Sequence, residues 1–145
     1  MATGPYAPRM HFDLVDAVLE QSADRIVTLK NVSAAEEYLQ DHFPTFPVLP
    51  GVLMIEAMVQ AARRLLAGRD PALGRHVLCG VKALKYGTFV RPGDAMKVEV
   101  TLSKAADDGS FDFKGSAEVV RPDQSPDEAR PQCVSGRFTL RGVRG

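Results

Sequence analysis

The chain of 145 residues reads as an α+β protein, with one buried helix packed against about six antiparallel strands that wrap around it. Three observations predict this. Residues 52–67 contain no Pro or Gly and carry apolar side chains at helical spacing. Four later runs, 76–86, 95–104, 110–121 and 132–141, alternate with a period of two or are rich in β-branched residues. The gaps between them carry turn chemistry, Arg91-Pro92-Gly93-Asp94 and Asp107-Asp108-Gly109.

Taken in order, residues 1–10 read as a loose arm holding Gly4, Pro5 and Pro8. Residues 14–19 and 25–30 read as two strands joined by the polar turn Gln21-Ser22-Ala23-Asp24. Residues 34–39 read as a short helix, with Ser33 and Glu36 spaced as a capping box. Three prolines follow within seven residues, Pro44, Pro47 and Pro50. The long helix then begins after Gly51, and Gly68 is expected to end it as the residue past the C-cap. At about 1.5 Å per residue it spans roughly 24 Å. Val52, Ile55, Val59, Ala62 and Leu66 form its apolar stripe, widened by Leu53, Met58 and Leu65. Arg63 and Arg64 lie toward its C-terminal end, where cations suit the helix dipole. Residues 121–132 hold three prolines among charges and read as an exposed loop between the last two strands. The whole chain is expected to form one domain.

Charge narrows the partners. Lys plus Arg and Asp plus Glu both number 18, so bulk charge argues for neither nucleic acid nor an acidic partner, and electrostatic recognition falls to local patches. There is no apolar run of signal-peptide or membrane-spanning length, so a cytoplasmic protein without membrane contact is expected. Cys79 and Cys133 lie in strand-like runs without metal-ligand spacing and read as buried free thiols. No metal cluster, phosphate loop or serine-nucleophile motif is present, so neither metal nor cofactor is expected.

The chemistry concentrates in residues 42–60. Val52, Glu56, Gln60 and Arg63 fall on one side of the helix, a narrow polar line on an apolar element. Such a line is ordinarily the solvated edge of an amphipathic helix. Here a proline-stiffened segment bearing His42 precedes it, and prolines that fix φ hold a side chain in place. A neutral imidazole is a competent base. A partly buried carboxyl at Glu56 would have its pKa raised and serve as an acid. The unpaired N–H groups of Gly51 and Val52 at the helix start suit a developing oxyanion, and Gly51 permits close backbone approach by a ligand. Together these support proton abstraction beside a carbonyl without naming the substrate. His11 and His76 read as polar or partner-strand contacts, and Asp16 as a turn or ion-pair residue as readily as a functional one.

The run His42-Phe43-Pro44, Pro47, Pro50-Gly51, Glu56-Ala57-Met58 and Gln60 resembles the 3-hydroxyacyl-ACP dehydratases of bacterial fatty-acid synthesis, enzymes of the hot-dog fold. The resemblance covers roughly residues 9–120 and includes Pro92-Gly93-Asp94. It implies that His42 removes the C2 proton of a 3-hydroxyacyl thioester, that Glu56 protonates the leaving hydroxyl, and that the Gly51 N–H, with Val52, polarises the carbonyl. Gln60 would orient the carboxyl. Phe43, Phe46, Pro50 and Met54 would line an acyl tunnel. Lys82, Lys85 and Arg91 would dock an acyl carrier protein, or the substrate would arrive as a CoA thioester. His42 and Glu56 of one site would come from different subunits of a homodimer, which a trimer of dimers would also contain. Departures from the family pattern are Thr45 and Phe46 after His-Phe-Pro, Val59 for a usual Ala, Arg63 for a common Gly, and Lys85-Tyr86-Gly87-Thr88-Phe89 in place of an Arg-Phe-Arg-Arg-Pro run. Two competing readings follow from the same residues: a hot-dog thioesterase or CoA hydratase, and a non-catalytic acyl-binding subunit of a dehydratase heterodimer.

Overall fold

Residues 13–33 and 48–142 are described in the computed structural model. Their elements are β1 (Ala17–Gln21), β2 (Arg25–Asn31), α1 (Gly51–Arg69), a short 3-10 turn (Pro71–Gly74), β3 (His76–Tyr86), β4 (Ala95–Ala105), β5 (Ser110–Val120) and β6 (Gln132–Gly142). The six strands form one antiparallel sheet in the order β1-β2-β4-β5-β6-β3. The expected arm over 1–10 and helix over 34–39 lie outside the described residues.

Alternation decides which face of the sheet meets the helix. On β4, Met96, Val98 and Val100 are fully buried while Glu99 between them is exposed. On β5 and β6, Phe113 and Phe138 stand opposite each other in register and stack with ring centroids 5.3 Å apart. Met54, Ala57, Met58, Ala61, Ala62, Leu65 and Leu66 of α1 meet that surface and complete the core. At Gly115 a helix side chain leaves no room for a Cβ, which would lie 2.7 Å from Met58 Sδ.

Several expectations change. The first strand starts at Ala17, not at residue 14, and Leu14 and Val15 enter it as buried coil. The helix runs on through Gly68 and ends at Arg69, with Asp70 in extended conformation behind it. Gly68 serves proximity rather than termination. The Gln21 side chain crosses the helix there, its Nε2 donating to the Arg64 carbonyl at 3.3 Å, and a Cβ on residue 68 would collide with it. Val52 is 69% exposed and outside the core, whereas Val59, Ala62 and Leu66 of the expected stripe are buried with Met58 and Leu65, and Met54 joins them. Cys79 is exposed because β3 is an edge strand, whereas Cys133 is buried as expected and both thiols are free. No described helix is long and apolar enough to cross a membrane.

β3 and β6 carry irregularities that their sequences do not announce. Ala117 pairs with Val134 and Glu118 with Gln132, so Cys133 is the extra residue of a bulge. The bulge puts Cys133 and Val134 in the core consecutively. The Cys133 thiol donates to the Ala117 carbonyl at 3.5 Å. Burial pushes it up to about 12. On β3, Lys82 pairs with Arg137 and Lys85 with Ser135, and Ala83 between them has φ of 53°. That left-handed conformation costs a residue with a Cβ about 1–2 kcal/mol, and it re-aims the end of β3.

Candidate active site

Gln60 fixes Glu56. The Leu14 N–H donates to Gln60 Oε1 at 2.8 Å, which leaves the amide Nε2 to donate to Glu56 Oε2 at 3.0 Å. An amide bound to a backbone donor on one side has its donor face set on the other. The pair is therefore oriented from the segment that leads into β1. Arg63 joins it from the next turn, with Nη1 3.7 Å from Glu56 Oε2 and Nε donating to the His76 carbonyl at 2.7 Å. The polar line expected along the helix is thus a connected chain from Leu14 through Gln60, Glu56 and Arg63 to the start of β3. The Glu56 side chain is 38% exposed in the single chain, so it is neither deeply buried nor a lone charge. Arg63, which stands where the family pattern commonly has Gly, uses its side chain for the contacts with Glu56 and the His76 carbonyl.

The start of α1 is left open. Pro50 is the N-cap, with φ of −61° and ψ of 142°, and offers no capping side chain; the first turn holds no acid. A missing cap forgoes about 1 kcal/mol of helix stability. Leu53 and Met54 donate to the Pro50 carbonyl, while Gly51 and Val52 donate to no acceptor among the described residues. Leu49 N–H bonds the Val90 carbonyl at 2.8 Å, which anchors the chain just before the helix. Tyr86, which the sequence reading does not select, covers the same point. A Cβ built on Gly51 would lie 2.8, 2.7 and 2.9 Å from Cε1, Cζ and Oη of the Tyr86 ring. The close approach that Gly51 permits is therefore taken, in this chain, by a phenol.

His42, Phe43 and Phe46 lie outside the described residues, as does His11. Of the other tunnel candidates, Pro50 is partly exposed at the helix start and Met54 is packed in the core at 3% exposure. Lys82 and Lys85 are exposed on β3 and Arg91 on the turn after it. Lys85 shares a groove of about 560 Å³ with Lys114 and Arg137 on the sheet face opposite the helix. Lys82, Arg137 and Lys114 follow one another across β3, β6 and β5 in direct register, two further cations that turn-and-strand reading leaves unconnected. Arg91 lines neither this groove nor the adjoining one beside Lys82. His76 is buried, edge-on to Phe111 at 5.3 Å, with Nδ1 lacking a hydrogen-bond partner among the described residues. No cluster of metal-ligating side chains occurs among the described residues.

A family model for ApeI-like proteins, described as ApeI dehydratase, matches residues 18–123. The 3-hydroxyacyl-acyl-carrier-protein dehydratase FabZ of Ruminiclostridium cellulolyticum is 39% identical over 119 residues, covering 76% of this chain and 84% of that protein. The chain belongs to the hot-dog dehydratase family. The FabZ of Cupriavidus taiwanensis is 40% identical over 130 residues, covering 87% of this chain and 85% of its own length. Two solved structures share the hot-dog fold at 16% identity. One is the dehydratase heterocomplex ApeI:P from Xenorhabdus doucetiae, with a TM-score of 0.61 over 88% of this chain and 96% of that one. The other is AziG of S. sahachiroi, with 0.63 over 98% of each. In this dehydratase the helix with its carboxylate and its open N-terminus packs on one face of the sheet, and the cationic row lies on the other.

Proposed function

We propose that the chain dehydrates 3-hydroxyacyl thioesters carried on acyl carrier protein to trans-2-enoyl thioesters, as a cytoplasmic enzyme of fatty-acid or related lipid or polyketide synthesis. The observation that carries the reading is the Glu56 carboxyl held by Gln60 two turns or less from an uncapped helix N-terminus, in a chain 37–45% identical to FabZ dehydratases. In the reaction His42 takes the C2 proton. The C3–O bond breaks as Glu56 gives its proton to the departing hydroxyl, and water leaves. Charge moving onto the thioester oxygen meets the Gly51 N–H, with the Val52 N–H beside it. Gln60 keeps the carboxyl aimed. Lys82 and Lys85 are proposed to take part in carrier docking.

The site is proposed to be completed by a second subunit, His42 from one and Glu56 from the other. Two features support pairing. β3 is an edge strand 11 residues long that bears the exposed apolar side chains Val77, Leu78 and Val81, and such an edge invites a partner strand. Val52 and the half-exposed Glu56 stand on the helix side that a partner would cover.

Incubation of the purified chain with 3-hydroxyacyl-carrier protein is expected to release water and build the enoyl thioester, followed by its ultraviolet absorbance. His42→Ala and Glu56→Gln should each lower turnover by about a thousandfold or more while the protein stays folded and dimeric. Retained turnover in both variants sinks the reading. Release of free acid points to a thioesterase, and binding without turnover to an acyl-binding subunit.

A further inference from the structure

We propose that the Tyr86 hydroxyl is a further hydrogen-bond donor to the thioester carbonyl, acting beside the backbone N–H groups of Gly51 and Val52. The inference rests on the dehydration reading above and adds a residue to that site.

Four observations converge on this phenol. Its ring edge, Oη included, fills the space that any side chain on residue 51 would need, so it lies directly on the residue whose N–H is open. Its hydroxyl makes no hydrogen bond among the described residues, and the residue is 52% exposed, so the phenol rests on the helix start and is otherwise open to solvent. The backbone holds it there firmly. Tyr86 pairs with Val134, the Gly87 N–H donates to the Cys133 carbonyl at 2.9 Å, and the Thr88 N–H donates to the Gln132 carbonyl at 3.0 Å. Gly87 is needed for that approach, because a Cβ there would run into the Gln132 carbonyl. Finally, Ala83 holds a positive φ in the bulge that redirects β3 three residues before Tyr86. Backbone strain of this kind persists where surrounding structure enforces it and gathers at functional sites.

The chemistry gives the hydroxyl its task. Removing the C2 proton pushes charge onto the thioester oxygen, and a neutral donor already in place stabilises that charge without transferring a proton. A phenylalanine at this position, as the family run has it, offers the same ring without the donor. Because Tyr86 and Gly51 belong to the same chain, the pair forms whichever subunit supplies the acid.

Tyr86→Phe keeps the ring on Gly51 and removes only the oxygen. On 3-hydroxyacyl-carrier protein, kcat is expected to fall roughly tenfold or more with KM within about twofold of wild type. The stretch of a 13C-labelled enoyl thioester carbonyl, read by difference infrared spectroscopy on the bound product, is expected at higher frequency in the variant, since the bond is polarised less. A Tyr86→Phe kcat within about twofold of wild type, or an unchanged carbonyl frequency, overturns the inference and leaves the dehydration reading standing. A wild-type chain that fails to dehydrate the substrate overturns both.

Discussion

Gln60 has its two polar ends committed to different parts of the chain. Its oxygen accepts from the Leu14 N–H and its nitrogen donates to Glu56, so rotating the amide by half a turn would break both bonds at once. Glu at this position keeps the acceptor and loses the donor, placing a second carboxylate beside Glu56. Gln60→Glu is therefore expected to cut turnover by roughly tenfold to a hundredfold while the Leu14 bond survives. Gln60→Leu should lose both bonds and about 1–3 kcal/mol of stability, because the buried-side donor at Leu14 is left unpaired. Urea unfolding together with kcat separates the two variants. Equal stability losses in both would show that the Leu14 bond is not what Gln60 provides.

Strand pairing between β5 and β6 is continuous except where Cys133 is inserted, and that insertion places a thiol in the core. The folded thiol sits at about 12 against an ordinary value of 9.0, with burial as the main cause. Below pH 9 both folded and unfolded chains hold the proton and the stability is full. As pH rises from 9 toward 12 only the unfolded chain ionises, so folding stability declines, by up to about 1.4 kcal/mol per pH unit from this group. Comparing wild type with Cys133→Ala by urea unfolding at pH 8 and pH 10 isolates the contribution. Parallel pH dependence in the two proteins would contradict it. The bulge also shows where sequence reading stops. The strand over 132–141 is evident from its apolar residues, and β4 and β5 from theirs, because period-two burial is written residue by residue; β3 is evident only from its apolar and β-branched content, since nearly all of its residues are exposed. A bulge changes the register without changing composition. Neither Ala83 nor Cys133 belongs to the residue types that mark such points, Gly and Asn among them. Gly68 misled for the converse reason, since a glycine needed for close packing reads like one needed for a turn.

Among the described residues the outer edge of β3 and the Glu56 side of the helix are uncovered, and both lie where the reaction is proposed to occur. Val81→Lys puts a charge on the β3 edge at a side chain already 38% exposed, so the fold of each subunit should survive. Sedimentation is expected to show the wild type as at least a dimer and the variant largely as monomer, with turnover lost in proportion. A monomeric variant of full activity would refute a site shared between subunits. Glu56, Gln60 and Gly51 could be read from the linear motif because helical spacing alone brings them together. Tyr86 and the row Lys82, Arg137 and Lys114 could not, because only the pairing of distant strands and the packing of β3 on the helix start join residues so far apart in sequence. The bond from Leu14 to Gln60 has a practical corollary. The residues that lead into β1 hold the far end of the acid's support, so a fusion tag or truncation that disturbs them would register as an enzyme with a misaligned proton donor, even when spectroscopy and solubility report a protein in good order.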